Sequence, residues 1–190
     1  MKLSFLIFFL TILKFSSANF VTIVCSYCCD HANLSYTCSV QNLDVFTDDR
    51  VNIEKAIGEH VEGKTDDDVT TFRIYNPANL KYFPRNVNNV FKNLIGIVIK
   101  NSNLEEITSE DLKVFPKLKL LELWFNQIKA ISKGTFKFNP ELEIIVLNNN
   151  KISVIEPKAF SNLPKLRMLS FYGNICELKV WYPSYQVWNK

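Results

Sequence analysis

Leu94, Leu118, Leu142 and Leu166 stand 24 residues apart, a spacing that rules out most folds at once. A chain that resembles itself at such a period stacks short units into a solenoid, because no unit can bury its own apolar face. Leu118-Leu121-Leu123-Asn126-Ile128 is matched by Leu142-Ile145-Leu147-Asn150-Ile152, and more loosely by Leu94-Ile97-Ile99-Ser102-Leu104. Val69-Phe72-Ile74 opens an earlier, degenerate copy one residue longer. Leu166-Leu169-Phe171-Asn174 begins a last one, in which Cys176 takes the final apolar place.

The close apolar spacing predicts a short strand in each unit, with alternate side chains turned inward and successive strands paired in parallel. Asn126, Asn150 and Asn174 fall where the chain leaves the strand, so their amides are expected to bond the backbone of neighbouring coils as a ladder. The return path is expected to bury Leu112 and Phe115, then Phe136 and Phe138, then Phe160 and Leu163. Pro116, Pro140 and Pro164 would end each return before the next strand.

The first 18 residues read as an export signal: Lys2, an apolar run from Leu3 to Leu13, and small residues Ser16-Ser17-Ala18 for cleavage. The run is too short to span a bilayer, so no membrane span is expected after its removal. Losing Lys2 and Lys14 takes the formal net charge of +3 close to neutral, which removes the electrostatic argument for nucleic acid. Asp66-Asp67-Asp68 is expected in a solvated turn. Export also favours disulfides over thiolate metal sites. Cys25, Cys28, Cys29 and Cys38, with His31 among them, offer a superficial zinc set whose spacing fits no standard finger. With five cysteines, at least one thiol must be free or joined to another molecule.

The repeat pattern resembles the extracellular leucine-rich-repeat family, and Phe136, Phe160 and Leu163-Pro164-Lys165-Leu166 resemble its typical 24-residue subclass. That resemblance implies an α/β solenoid: a right-handed superhelix with a parallel concave β-sheet and a mostly irregular or short helical convex side. Tyr36-Thr37-Cys38-Ser39-Val40, Ile57-Gly58-Glu59-His60 and Asp68-Val69 resemble the capping segment of small secreted insect leucine-rich-repeat proteins. It implies a cap over 19–68, repeats over 69–176 and a short tail over 177–190. By the same resemblance Cys25 and Cys38 are the capping pair, leaving Cys28, Cys29 and Cys176 unpaired or intermolecular. Near Cys176 the family often places a cysteine-bearing cap, and here none of the following residues is cysteine. Either Trp181, Tyr182, Tyr185 and Trp188 form an aromatic lid, or the end is incompletely covered.

The frame also names the residues that face away from the core. The expected ligand-binding set on the concave face is Arg73, Tyr75, Val98, Lys100, Leu120, Glu122, Trp124, Ile144, Val146, Asn148, Met168 and Tyr172. An aromatic and aliphatic centre with a charged rim is how protein-binding surfaces are built. The same residues also suit a strand for its own sake, or a surface covered by the tail. Phe125 is expected to pack toward the corner after the strand. His31 and His60 lack a serine or carboxylate partner by motif, and no phosphate loop, dinucleotide fingerprint or zinc-protease motif occurs, so neither enzyme nor cofactor is expected. Asn33-Leu34-Ser35 is an acceptor for N-linked glycan. The expected function is a secreted recognition module for an extracellular protein ligand, in signalling or innate immunity by resemblance. The alternative is an assembly subunit joined to a partner chain through a spare thiol.

Overall fold

The computed structural model describes residues 19–29, 35–41, 50–75, 79–175 and 186–187. The export segment, His31, Asn33, Cys176 and the four tail aromatics lie outside them.

The cap contributes β1 (Asn19–Cys29), β2 (Tyr36–Val40) and β3 (Val51–Ile57). Each repeat then adds one strand to the same sheet: β4 (Thr71–Ile74), β5 (Gly96–Ile99), β6 (Leu120–Glu122), β8 (Ile144–Val146) and β10 (Met168–Ser170). Two strands, β7 (Ala130–Ile131) and β9 (Val154–Ile155), pair in a separate small sheet. The order in the main sheet is β11-β10-β8-β6-β5-β4-β2-β1-β3, where β11 is Gln186–Val187. All neighbours from β2 to β11 run parallel, whereas β1 runs antiparallel to β2 and parallel to β3.

This geometry follows from the repeat. The first, fourth and sixth places of each coil hold Leu94, Ile97 and Ile99; Leu118, Leu121 and Leu123; Leu142, Ile145 and Leu147; Leu166, Leu169 and Phe171. All twelve are buried in one continuous core. Burial of each such side chain contributes about 1.5–3 kcal/mol, and the contribution exists only when the next coil covers it. The asparagine ladder forms as expected. Asn150 Nδ2 donates to Leu123 O (2.8 Å) and Leu147 O (3.0 Å), while its Oδ1 accepts from Ile128 N (3.1 Å). Asn126 and Asn174 repeat the arrangement one coil before and one coil after. Ser102 occupies the same place in an earlier coil, too short to bridge, and reaches only Lys100 O.

The return side is short helices and turns: α1 (Val87–Val90) and α2 (Ser109–Leu112). Thr108 caps α2, with Asp111 reaching back to the Thr108 backbone N–H at 2.9 Å. One expectation here is corrected. Phe138 is 41% exposed, with Lys137 Nζ 4.6 Å from its ring centroid, while Phe136 is buried as expected and Asn139 takes the second buried place. The 24-residue spacing gives the reason, because Asn139 is in frame with Phe115 and Leu163. Its Nδ2 satisfies Leu112 O (3.0 Å) and Phe115 O (2.9 Å), so a polar residue substitutes for an apolar one by linking two coils.

In the cap, Cys25 and Cys38 are joined by a disulfide across β1 and β2, and Cys28 and Cys29 are exposed free thiols. Cys38 lies beside Phe72 in the sheet, so β2 continues the repeat array into the cap. The aspartate run forms a 3-10 turn, Asp66–Asp68, but Asp66 is not simply solvated: it accepts from Tyr27 OH at 2.6 Å. His60 has partners that no motif announces. Its Nε2 lies 3.5 Å from Asp66 Oδ1, its Nδ1 3.0 Å from Tyr36 OH, and its ring stacks on Tyr27 at 3.9 Å between centroids. Burial, reinforced by the bond to Asp66, pushes the Tyr27 phenol well above its ordinary range.

Candidate functional site: the open face of the sheet

Side chains at the third, fifth and seventh places of each coil stand on the face opposite the core, in register. In the third row, Thr71, Gly96, Leu120, Ile144 and Met168 lie side by side. Gly96 is needed there, since a Cβ would come within 2.9 Å of Thr71 Oγ1. The fifth row runs Arg73, Val98, Glu122, Val146 and Ser170. Backbone bonds Asn101 N–Trp124 O, Phe125 N–Asn148 O and Asn149 N–Tyr172 O (3.4, 3.0 and 2.7 Å) carry the pairing beyond the strands and align Lys100, Trp124, Asn148 and Tyr172.

All twelve expected residues therefore share the open face, but they do not offer equal surface. Val98 is 2% exposed and Val146 is also buried, yet neither belongs to the core cluster. Their neighbours on the open face cover them, which corrects the expectation that they touch a ligand directly. Lys100 is likewise not a free rim charge. Its Nζ sits 3.8 Å from the Trp124 ring centroid and 4.9 Å from that of Tyr75, and 3.5 Å from Glu122 Oε2. The Trp124 indole N–H donates to the same carboxylate oxygen at 3.1 Å. The surface that remains available is Leu120, Ile144 and Met168, with Trp124 and Tyr172 beside them.

Phe125 was missed. It does not pack into the corner; it is 48% exposed and stacks on Trp124, with 5.8 Å between ring centroids. Its φ of 55° places it in the left-handed region, as are Asn101, Asn149 and Gly173 at the same place in other coils. Asparagine and glycine adopt that conformation readily, whereas phenylalanine is strained there. The signal was present in the sequence as the one bulky residue in an Asn, Phe, Asn, Gly column.

A cleft of about 270 Å³ lies on the other side of the molecule, lined by Arg50, Arg85, Glu110, Asp111, Lys113 and apolar neighbours. Its charges are largely satisfied internally, Arg50 by Asp111 and Glu106, Lys113 by Glu110. No helix among the described residues is long and apolar enough to cross a membrane.

Comparison with known proteins agrees with this geometry. A family model described as leucine-rich repeat matches residues 116–174. Among solved structures 25 chains match. One of them, described as a crystal structure of a TLR13–ssRNA13 complex, is 20% identical with a TM-score of 0.49, covering 65% of this chain and 18% of that one. No curated protein matches. Coils of matched register and an asparagine ladder give the described residues the architecture of a leucine-rich-repeat solenoid, and residues 116–174 match the repeat family itself.

Proposed function

We propose that the chain is a secreted recognition module that binds an extracellular protein on the open face of its sheet, around Leu120, Trp124, Ile144, Met168 and Tyr172. The observation that carries this reading is the combination of exposure and register. Met168 and Tyr172 are exposed, Leu120, Trp124 and Ile144 are half-buried, and all are aligned on one sheet outside the core cluster, where a partner can desolvate them together. Side chains anchored on paired strands give up little freedom on binding. A nucleic-acid ligand, of the kind held by TLR13, is disfavoured because the open face offers Arg73 and Lys100 against Glu122, with Lys100 paired to that carboxylate. Nor does the reading involve catalysis: His60 is engaged by two tyrosines and an aspartate inside the cap, away from the open face.

The test is crosslinking capture from extracellular fluid, comparing the native chain with Trp124→Ala/Tyr172→Ala and with Phe138→Ala, an exposed residue on the return side. The double variant is expected to lose the partners that the native chain and Phe138→Ala both recover. Equal recovery by all three sinks the reading.

A second reading is favoured by the exposed, unpaired Cys28 and Cys29, which leave thiols for linkage to a partner chain. Non-reducing electrophoresis of secreted protein decides it: a band of higher mass that collapses with reductant supports assembly, and a monomer band in both lanes rejects it.

A further inference from the structure

The border where the chain enters the strands changes character along the stack. In the coils of β4 and β5 the second place holds Thr70 and Ile95, beside Thr71 and Gly96 at the third. In the coils of β6, β8 and β10 it holds Lys119, Glu143 and Arg167, beside Leu120, Ile144 and Met168. The place just before the first follows suit: Asp68 and Asn93, then Lys117, Glu141 and Lys165. An alternating charged border therefore begins where the apolar row begins and runs beside it for the same three coils. The sheet does not require that coincidence, since β4 and β5 pair in register without either feature.

The border carries a surplus of positive charge. Backbone bonds Glu143 N–Lys119 O and Arg167 N–Glu143 O (2.9 and 2.8 Å) align its second-place side chains. Glu143 lies between both cations, bonded by Arg167 and 3.6 Å from Lys119 Nζ. The bond from Arg167, reinforced by Lys119, holds the Glu143 carboxyl below the ordinary carboxylate range. Glu141 accepts from Lys165 Nζ at 2.6 Å, and Lys117 joins no ion pair among the described residues. The carboxylates are recessed and the cations stand out. The Glu143 side chain is 25% exposed against 50% for Lys119 and 70% for Arg167, and Glu141 is 36% exposed against 54% for Lys165. Exposed ion pairs of this kind contribute little to stability, so the stack alone does not account for them.

We infer that this border is a basic rail that receives carboxylates of a protein partner whose apolar residues lie on Leu120, Ile144 and Met168; the inference rests on the open face being the binding surface and adds the partner's charge. Four cations meet two carboxylates, and both carboxylates are already occupied, as Glu122 is by Lys100. A basic partner would face exposed cations with no carboxylate left to it, and a neutral one would gain nothing from the border. A nucleic-acid backbone is the wrong scale of anion, because its binding draws on roughly six to ten phosphate contacts and makes no use of the apolar row. Acidic side chains set beside apolar ones engage both rows together: the rail steers and orients the partner, and the apolar row holds it.

The experiment has two arms. In the first, the full chain is titrated with short peptides of the same leucines interleaved with aspartate, lysine or serine, and with heparin and a single-stranded DNA oligonucleotide, while the Met168 methyl and Trp124 indole N–H signals are followed by NMR. The aspartate peptide is expected to shift both signals and to bind about tenfold more tightly than the other two. Raising salt from about 0.05 to about 0.5 M should remove that preference. So should Lys119→Glu/Arg167→Glu and, independently, Lys117→Glu, which leaves the ion pairs of Glu143 intact; should the double variant unfold, Lys117→Glu decides alone. Equal binding of the three peptides, no binding of the aspartate peptide, tighter binding of heparin or the oligonucleotide, or a preference that survives Lys117→Glu or high salt overturns the inference. In the second arm the rail variants enter the capture experiment, where they are expected to lose the same partners as Trp124→Ala/Tyr172→Ala. Partners lost by that aromatic variant but kept by the rail variants would overturn the rail and leave the open-face reading standing. Partners kept by the aromatic variant would overturn the open-face reading itself.

Discussion

Phe125 and Tyr27 show how single residues differ in what they contribute to stability. Phenylalanine in the left-handed region costs about 1–2 kcal/mol, and its offset stack on Trp124 returns about 0.5–1.5 kcal/mol. The two nearly cancel, so Phe125→Asn is expected to change the unfolding free energy by less than about 0.5 kcal/mol, where truncating a buried aromatic costs about 3–5 kcal/mol. Urea denaturation checks this, and a loss above 2 kcal/mol would mean that Phe125 is a structural residue. Tyr27 belongs to the other class. Its phenol is raised in the folded cap, so the bond to Asp66 contributes fully below the ordinary tyrosine range and is lost as pH climbs through the folded value. Stability is therefore expected to decline above about pH 10, where an unfolded tyrosine ionises first. Tyr27→Phe should be about 1 kcal/mol less stable at neutral pH and should flatten that alkaline decline, measured by thermal melts from pH 7 to 11.

At the scale of elements, the repeats and the cap respond to different forces. The repeat strands are held by apolar burial and the asparagine ladder, while β1 and β2 also depend on the Cys25–Cys38 bond. Replacing both cysteines by serine is expected to cost about 2–3 kcal/mol. Hydrogen exchange should show β1, β2 and β3 losing protection first while β8 and β10 keep theirs; uniform loss would refute the division. The same division explains what could be read from the sequence. Strands β5, β6, β8 and β10 were legible because Leu118, Leu121 and Leu123 recur in frame, and so was the open face, which is the complement of that frame. The Cys25–Cys38 pair was legible by resemblance, but the cap's strands were not, because they carry no repeat: nothing local announces that β1 runs eleven residues, bulges at Val21/Thr22 and pairs antiparallel with β2. Phe138 stands out by hydrophobicity, but the 24-residue spacing puts Asn139 in the buried place. The burial of Val98 and the capture of Lys100 depend on side chains of adjacent coils, which a one-coil pattern does not contain.

The molecule as a whole is a stack with unlike ends. Between β4 and β10 every interface is parallel and each coil meets only its neighbours, so the array is indifferent to how many coils it holds. Beyond β2 the pairing changes sense: β1 runs antiparallel to β2, and β3 pairs along its other side and closes that edge. Duplication of a 24-residue unit can thus be absorbed in the middle of the gene product but not ahead of it. Each such event would set one more outward triplet on the open face, and one placed between β6 and β10 would move Tyr172 from Trp124 by a single strand width. A stack built this way can lengthen within its repeats and not across its cap.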